Sequence, residues 1–308
     1  MSTLVEHVEQ YLQLRRAVGF KLVGEGQLLA DFVRFAESAG ESTVTTHMAL
    51  EWARLPVSGS RNYLSKRLRA VRSFARYLNA LDPACEIPSI ELLPASKYRP
   101  APYLYSEEEI VALMTAARAL DPPLRAATLE TIIGLLACTG LRIGEALGLD
   151  REDFDQTNQL LIVRDSKFGK SREVLLHLSA VRALVSYGEI RDRLCPHPGT
   201  RSLFITTRGT RPAHPTIYQP FRALLDQAGV RRRSPSRRAR PHDLRHSFAV
   251  NTLLGWYRDG GDVAARMPLL STYLGHVDPA ATYWYLSAAP ELLALAAERL
   301  EVVPGGRS

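Results

Sequence analysis

The stretch from Pro83 to Pro102 constrains the fold of this 308-residue chain more than any other. Prolines stand there at 83, 88, 94, 100 and 102. Each lacks a backbone donor, fixes φ and pushes the preceding residue out of the helical region, so no continuous helix crosses the segment. The chain is long enough for two units on either side of it, each burying its own core. Beyond the prolines a capping box, Ser106 with Glu109, opens a new helix. We place a first domain at 1–92, a linker at 93–104 and a second domain at 105–308.

The first domain reads as all-helical. Apolar spacing predicts helices over 3–19 and 27–39, a short one after Thr45, and a fourth over 58–81. The fourth carries Arg61, Lys66, Arg67, Arg69, Arg72 and Arg76, with no acidic residue between Glu51 and Asp82. Leu64, Leu68, Val71, Phe74 and Leu78 form its apolar face. Solvated helices usually alternate sign for i,i+4 support, so a one-signed run of this length predicts contact with phosphates.

The second domain mixes periods. Helices are expected at 107–119, 125–138, 179–194, 215–228, 242–257, 263–273, 279–286 and 290–300, with Arg142 just inside a further one. Leu160–Val163 and Val174–Leu176 read as a hairpin whose basic tip carries Lys167, Lys170 and Arg172. Leu203–Thr206 reads as a short strand. Six arginines between Arg231 and Arg240, broken by Ser and Pro, make a loop in which Arg237 and Arg238 are further candidate DNA contacts. The fold class is mainly α with a small β-sheet.

Lys and Arg number 39 against 32 Asp and Glu, a net charge of +7 with a pI near 9.4, which favours a polyanionic partner. Cys85, Cys138 and Cys195 form no CxxC pair and no disulfide framework, which fits a reducing compartment. No Cys/His cluster has zinc spacing, so no metal is expected. The N-terminus lacks the continuous apolar core of a signal peptide. The nearest approach to a membrane span, Ala126–Leu141, is short and contains Glu130. These features predict a soluble, cytoplasmic protein.

Chemistry concentrates near the C-terminus. In Pro241-His242-Asp243-Leu244-Arg245-His246-Ser247, a helix would set His242 and Arg245 on one face. A guanidinium fork with an imidazole beside it suits a phosphate. His246 reads as packing beside that face. Upstream stands Thr139-Gly140-Leu141-Arg142-Ile143-Gly144-Glu145, and downstream stand Leu274-Gly275-His276 and then Tyr285. This ordered set of Arg142, Lys167, His242, Arg245, His276 and Tyr285 resembles the tyrosine recombinases, or phage integrase family, over about 105–290. The first half is similar to the family's helical, SAM-like core-binding domain only in helix count and position.

The resemblance implies a site-specific DNA recombinase that cleaves and rejoins strands through a 3′-phosphotyrosyl intermediate, without metal or cofactor. Arg142 and Arg245 would clamp the scissile phosphate, with His242 and His276 as further donors or proton carriers. Lys167 would protonate the leaving 5′-oxygen. Tyr285, nine residues after His276, has the nucleophile's spacing, whereas Tyr283 and Tyr273 do not. The implied partners are double-stranded DNA carrying specific sites, three further copies in a tetramer, and partner recombinases where the system has them, with no membrane. A type IB topoisomerase, or a DNA-binding accessory protein without catalysis, is the alternative. In one departure, thirty residues separate Arg245 from His276, the excess lying around Gly255–Asp262. The apolar face of Leu292, Leu293, Ala296 and Leu300 is expected to dock in trans on a neighbouring protomer.

Overall fold

The computed structural model describes residues 3–96, 101–164, 171–231, 238–276, 278–288 and 291–295. The chain divides into two compact units between residues 100 and 101. It is mainly helical, with one small sheet.

The first unit holds α1 (Leu4–Ala17), α2 (Val23–Ser38), α3 (Thr46–Arg54) and α4 (Arg61–Asn79). Side-chain caps from Thr3, Thr45 and Ser60 satisfy orphan amides at three of the starts. α2 begins four residues before the expected 27; Gly24 and Gly26, poor helix formers that hide the start from a propensity reading, lie within its first turns. Gly26 lets Leu12 of α1 approach closely: an added Cβ would sit 3.3 Å from Leu12 Cδ1. Phe32, Trp52, Val71 and Phe74 centre the core.

α4 corrects one expectation. Arg67 does not face solvent as a phosphate contact: it is 5% exposed and lies 3.7 Å over the Trp52 ring. Its Nη2 donates to the Trp52 carbonyl at 2.9 Å, and its Nη1 pairs with Asp31 at 3.4 Å. Position decides this, since Arg67 precedes Leu68 on the buried side, where a guanidinium stacked on indole is satisfied. Arg72 is half-buried, its Nε donating to the Pro88 carbonyl at 2.9 Å. Arg61, Lys66, Arg69 and Arg76 are exposed, the last three in a stripe at helical spacing.

The second unit opens with α5 (Glu107–Arg118), capped by the Ser106–Glu109 box, and α6 (Pro123–Thr139). Then come α7 (Ile143–Gly148), β1 (Phe154–Asp155), β2 (Leu160–Val163) and β3 (Arg172–Leu175). α8 (Leu178–Leu194), α9 (His214–Gln227), α10 (Pro241–Arg258), α11 (Val263–Leu274) and α12 (Ala280–Ala288) follow. α6 is apolar nearly all round, with Leu129, Ile132, Ile133, Leu135 and Leu136 buried, and α5, α8 and α10 pack around it. The antiparallel sheet runs β1-β2-β3, with Leu161 opposite Val174 and Val163 opposite Arg172.

Two local readings change. Leu203–Thr206 is not a strand, although Leu203, Phe204 and Ile205 are buried: the Ile205 amide donates to the Tyr187 hydroxyl at 3.1 Å instead of to a ladder. β3 begins at Arg172, two residues early, which takes that arginine off the hairpin tip.

α10, α11 and α12 share a second core with residues 291–295, which are helical. There Leu292 is 1% exposed and packs in cis with Leu253, Met267 and Tyr285, against the expectation of docking in trans; residues 296–300 lie outside the described residues. No described helix is long and apolar enough to cross a membrane.

Candidate active site

The site is built on the C-terminal end of α11. A helix leaves its last carbonyls unpaired within the helix, and that end carries partial negative charge. Here three consecutive carbonyls each take a hydrogen bond from a different arginine. Arg172 Nε donates to Tyr273 at 2.8 Å, Arg245 Nη2 to Leu274 at 2.7 Å and Arg142 Nη2 to Gly275 at 2.9 Å. The arginines come from β3, α10 and the N-cap of α7, so one helix end registers three separate elements. His276 follows at once.

Two glycines make this approach possible. Gly140, the C-cap of α6, has φ +62°, and an added Cβ would lie 2.5 Å from Phe248 Cδ1. Its carbonyl accepts from Arg245 Nη1 at 2.7 Å. Gly275, the C-cap of α11, has φ +67°, and its Cβ would meet Arg172 Nη1 at 3.0 Å. Both conformations favour glycine; a Cβ at Gly140 would force the Phe248 ring to shift, and one at Gly275 would press on the Arg172 guanidinium.

Arg142 caps α7 instead of lying inside it. Its amide donates to Glu145 Oε2 at 3.0 Å and its Nη1 to Oε1 at 2.7 Å. Arg172 grips the same carboxylate bidentately, Nη1 to Oε1 at 3.1 Å and Nη2 to Oε2 at 2.8 Å. Burial alone would raise the Glu145 pKa; the bonds and charge of Arg172, and then the bonds from Arg142, outweigh it and bring it to about 2. Arg245 is 1% exposed. Burial first, and next the like charge of Arg142, push its pKa down to about 10, so it stays charged at neutral pH.

Tyr285 is 2% exposed, among the rings of His246, His276 and Trp284. Its hydroxyl lies 3.1 Å from His246 Nδ1. His276 stacks on Tyr285 with centroids 6.1 Å apart, and its Nδ1 is 2.7 Å from the hydroxyl of buried Thr282. His242, half-buried one turn before His246, meets it edge-on at 4.8 Å. The other tyrosines face elsewhere: Tyr283 is 51% exposed, and Tyr273 donates to the Leu175 carbonyl at 3.4 Å.

Thus Arg142, His242, Arg245, His276 and Tyr285 cluster around the α10–α12 assembly. Lys167 and Arg237 lie outside the described residues. Arg238 pairs with Asp226 at 2.9 Å. No group of three or more His, Cys, Asp or Glu among the described residues is arranged to hold a metal ion. Two basic guanidiniums beside imidazoles and a phenol suit a phosphodiester: donors for the non-bridging oxygens and an oxygen nucleophile.

Comparison with known proteins decides the family. The family model described as "Phage integrase family" matches residues 104–291. The y4rB protein of Sinorhizobium fredii (strain NBRC 101917 / NGR234) is 41% identical over 309 residues, covering 98% of both chains. The chain belongs to the phage integrase family of tyrosine recombinases. Tyrosine recombinase XerD of Mycobacterium tuberculosis (strain ATCC 25618 / H37Rv) is 31% identical over 226 residues, 72% of this chain and 68% of that one. The Tn1549 transposon integrase, solved in complex with transposon right end DNA, shares the fold at a TM-score of 0.69 and 16% identity, covering 99% of this chain and 100% of that one. As a tyrosine recombinase the chain is an enzyme that cleaves and rejoins DNA.

Two residues of this recombinase escape a sequence reading. Arg172 was expected on a basic tip, yet it shares the buried face of β3 with Val174, as a period of two dictates. His246 was expected to be packing, yet it reaches the Tyr285 hydroxyl. Its signal is the i,i+4 spacing from His242 on one helix face.

Proposed function

We propose that the chain acts on specific double-stranded DNA sites as a tetramer and that Tyr285 is its nucleophile. Tyr285 Oη attacks the scissile phosphorus, the P–Oη bond forms, the P–O5′ bond breaks and a 3′-phosphotyrosyl link preserves the bond energy. Phenol, with a pKa near 10, is a better leaving group than an aliphatic alcohol, so the step reverses readily. Arg142 and Arg245 hold the non-bridging oxygens, with His242 and His276 as further donors. Fixed donors of this kind each stabilise a transition state by about 3–4 kcal/mol. Lys167 supplies the proton to the departing 5′-oxygen. The stripe of Lys66, Arg69 and Arg76 on α4 holds the backbone of the duplex.

One observation carries this reading: two guanidiniums bonded to adjacent carbonyls, Leu274 and Gly275, directly before His276 and beside a buried Tyr285. Burial and mutual repulsion lower the proton affinity of Arg245, a cost that a bound phosphate relieves. A suicide substrate, nicked so that the short fragment bearing the new 5′-hydroxyl diffuses away, tests it. The parent and Tyr283→Phe form a covalent protein–DNA adduct, and Tyr285→Phe binds DNA without one. An adduct from Tyr285→Phe moves the nucleophile elsewhere.

A further inference from the structure

We infer that His246 is a catalytic residue: the base that takes the proton of the Tyr285 hydroxyl as that oxygen attacks phosphorus. The inference rests on Tyr285 being the nucleophile and assigns the proton-accepting role to His246, a residue outside the expected set of six, in which His242 and His276 are the candidate proton carriers. A hydroxyl with an ordinary pKa near 10 is ionised in about one molecule in a thousand at pH 7. In a closed site that proton needs an acceptor within hydrogen-bond reach. His246 Nδ1 stands 3.1 Å from Tyr285 Oη, and both residues are buried, at 5% and 2% exposure.

The neighbouring imidazoles are placed differently. His276 offers its ring to the face of Tyr285, with 21° between the planes, and its Nδ1 meets Thr282. His242 approaches the His246 ring edge-on, at 84° between planes. The helical frame holds His246 in place: it adjoins Arg245, which is bonded to Gly140 and Leu274, so the base is rigidly tied to the phosphate clamp. Trp284 closes the other side with its ring 5.5 Å from His246.

The step balances. Oη–H gives its proton to Nδ1, P–Oη forms, P–O5′ breaks, and the 5′-oxygen takes a proton from the general acid. In religation the imidazolium returns the proton to Oη as the 5′-hydroxyl attacks. One group therefore serves both directions, as reversibility requires.

The test is single-turnover cleavage by the full chain. In His246→Asn the side-chain carbonyl stands near the position of Nδ1, so it accepts the tyrosine hydrogen bond but takes no proton at neutral pH. The rate should fall by about 10²–10⁴-fold at pH 7 with DNA binding and melting unchanged. The deficit should persist on a 5′-bridging phosphorothiolate, whose thiolate leaves without a proton, and should shrink about tenfold per pH unit towards pH 9. Among the described residues, the charged and titratable groups near this pair include His242 and Arg245 from α10 and His276 after α11. His242 and His276 remain in the variant, so an acid limb that disappears with His246 belongs to it. A rate within threefold of the parent, a deficit erased by the phosphorothiolate or a deficit flat with pH each overturns the inference. If His246→Asn does not fold, His246→Gln takes its place. A parent rate flat from pH 8 to pH 5 overturns the inference without any variant. Adduct from Tyr285→Phe instead overturns the assignment of the nucleophile.

Discussion

Replacing Arg172 by Met keeps an unbranched apolar stem and removes the guanidinium with its charge. Glu145 then loses two of its four hydrogen bonds, and the Tyr273 carbonyl loses its guanidinium. The carboxylate stays buried, with 8% of its side chain exposed, and Arg142 alone faces it. A fall in pKa from 4.5 to about 2 corresponds to roughly 3 kcal/mol of preference for the charged form. Breaking a buried pair costs about 3–5 kcal/mol by a separate route of reasoning. The two agree, and a loss of about 3 kcal/mol should lower the melting temperature of the second unit by about 6–12 °C.

The sign of the pH dependence follows. A carboxyl whose folded pKa is depressed stabilises the fold above its unfolded pKa, and that stability is lost as pH falls through the folded value. The gap between parent and Arg172→Met should therefore be full above pH 5, shrink as pH falls towards 2 and vanish only below it, where Glu145 becomes protonated in both. Glu145→Gln combined with Arg172→Met should be less destabilised than Arg172→Met alone, because the uncompensated charge has gone. Denaturant titrations from pH 2.5 to 7 measure this. A deficit under about 1 kcal/mol, or one independent of pH, refutes the reasoning.

Two further outcomes follow. Charge reversal of Lys66, Arg69 and Arg76 should weaken DNA binding and lower the slope of log K against log salt by up to about one unit per lost phosphate contact, whereas reversal of buried Arg67 should unfold the first unit; salt titration and melting separate the two. Cleavage should persist in excess EDTA, since the donors at the site are guanidiniums and imidazoles, and activity lost to chelation and restored by magnesium contradicts that mechanism.

Legibility in the sequence followed the physics of each feature. Helix starts could be read where a side chain caps them, as at Ser106, because capping is local. The ordered spacing of Arg142, His242, Arg245, His276 and Tyr285 carried a resemblance that the family match bears out. Arg67 was misread because charge said surface, whereas its neighbour Trp52 comes from another helix and is invisible to a periodicity argument. Arg172 was misread because the strand boundary, and with it the direction of the side chain, depends on pairing with Val163. His246 gave the right face and no hint of its partner, which lies 39 residues on. In each miss the deciding contact was tertiary.

The long interval between Arg245 and His276 raises the sharper question of how the site survives it. α10 and α11 form a helical hairpin around the turn at Asp259–Asp262. From Arg245 to Arg258 the chain rises about 20 Å, and from Val263 to Leu274 it returns about 17 Å, at about 1.5 Å per residue. The two arms nearly match, so Leu274 comes back to the level of Arg245 and accepts its hydrogen bond. Added residues shared between the two arms and the turn move the far end of the hairpin and leave the near end in register. What the chemistry needs is therefore not a fixed spacing but a fixed closure: the C-terminal carbonyls of α11 must meet Arg142, Arg172 and Arg245 together, and the glycine at 275 must turn the chain so that His276 and Tyr285 follow into the same site.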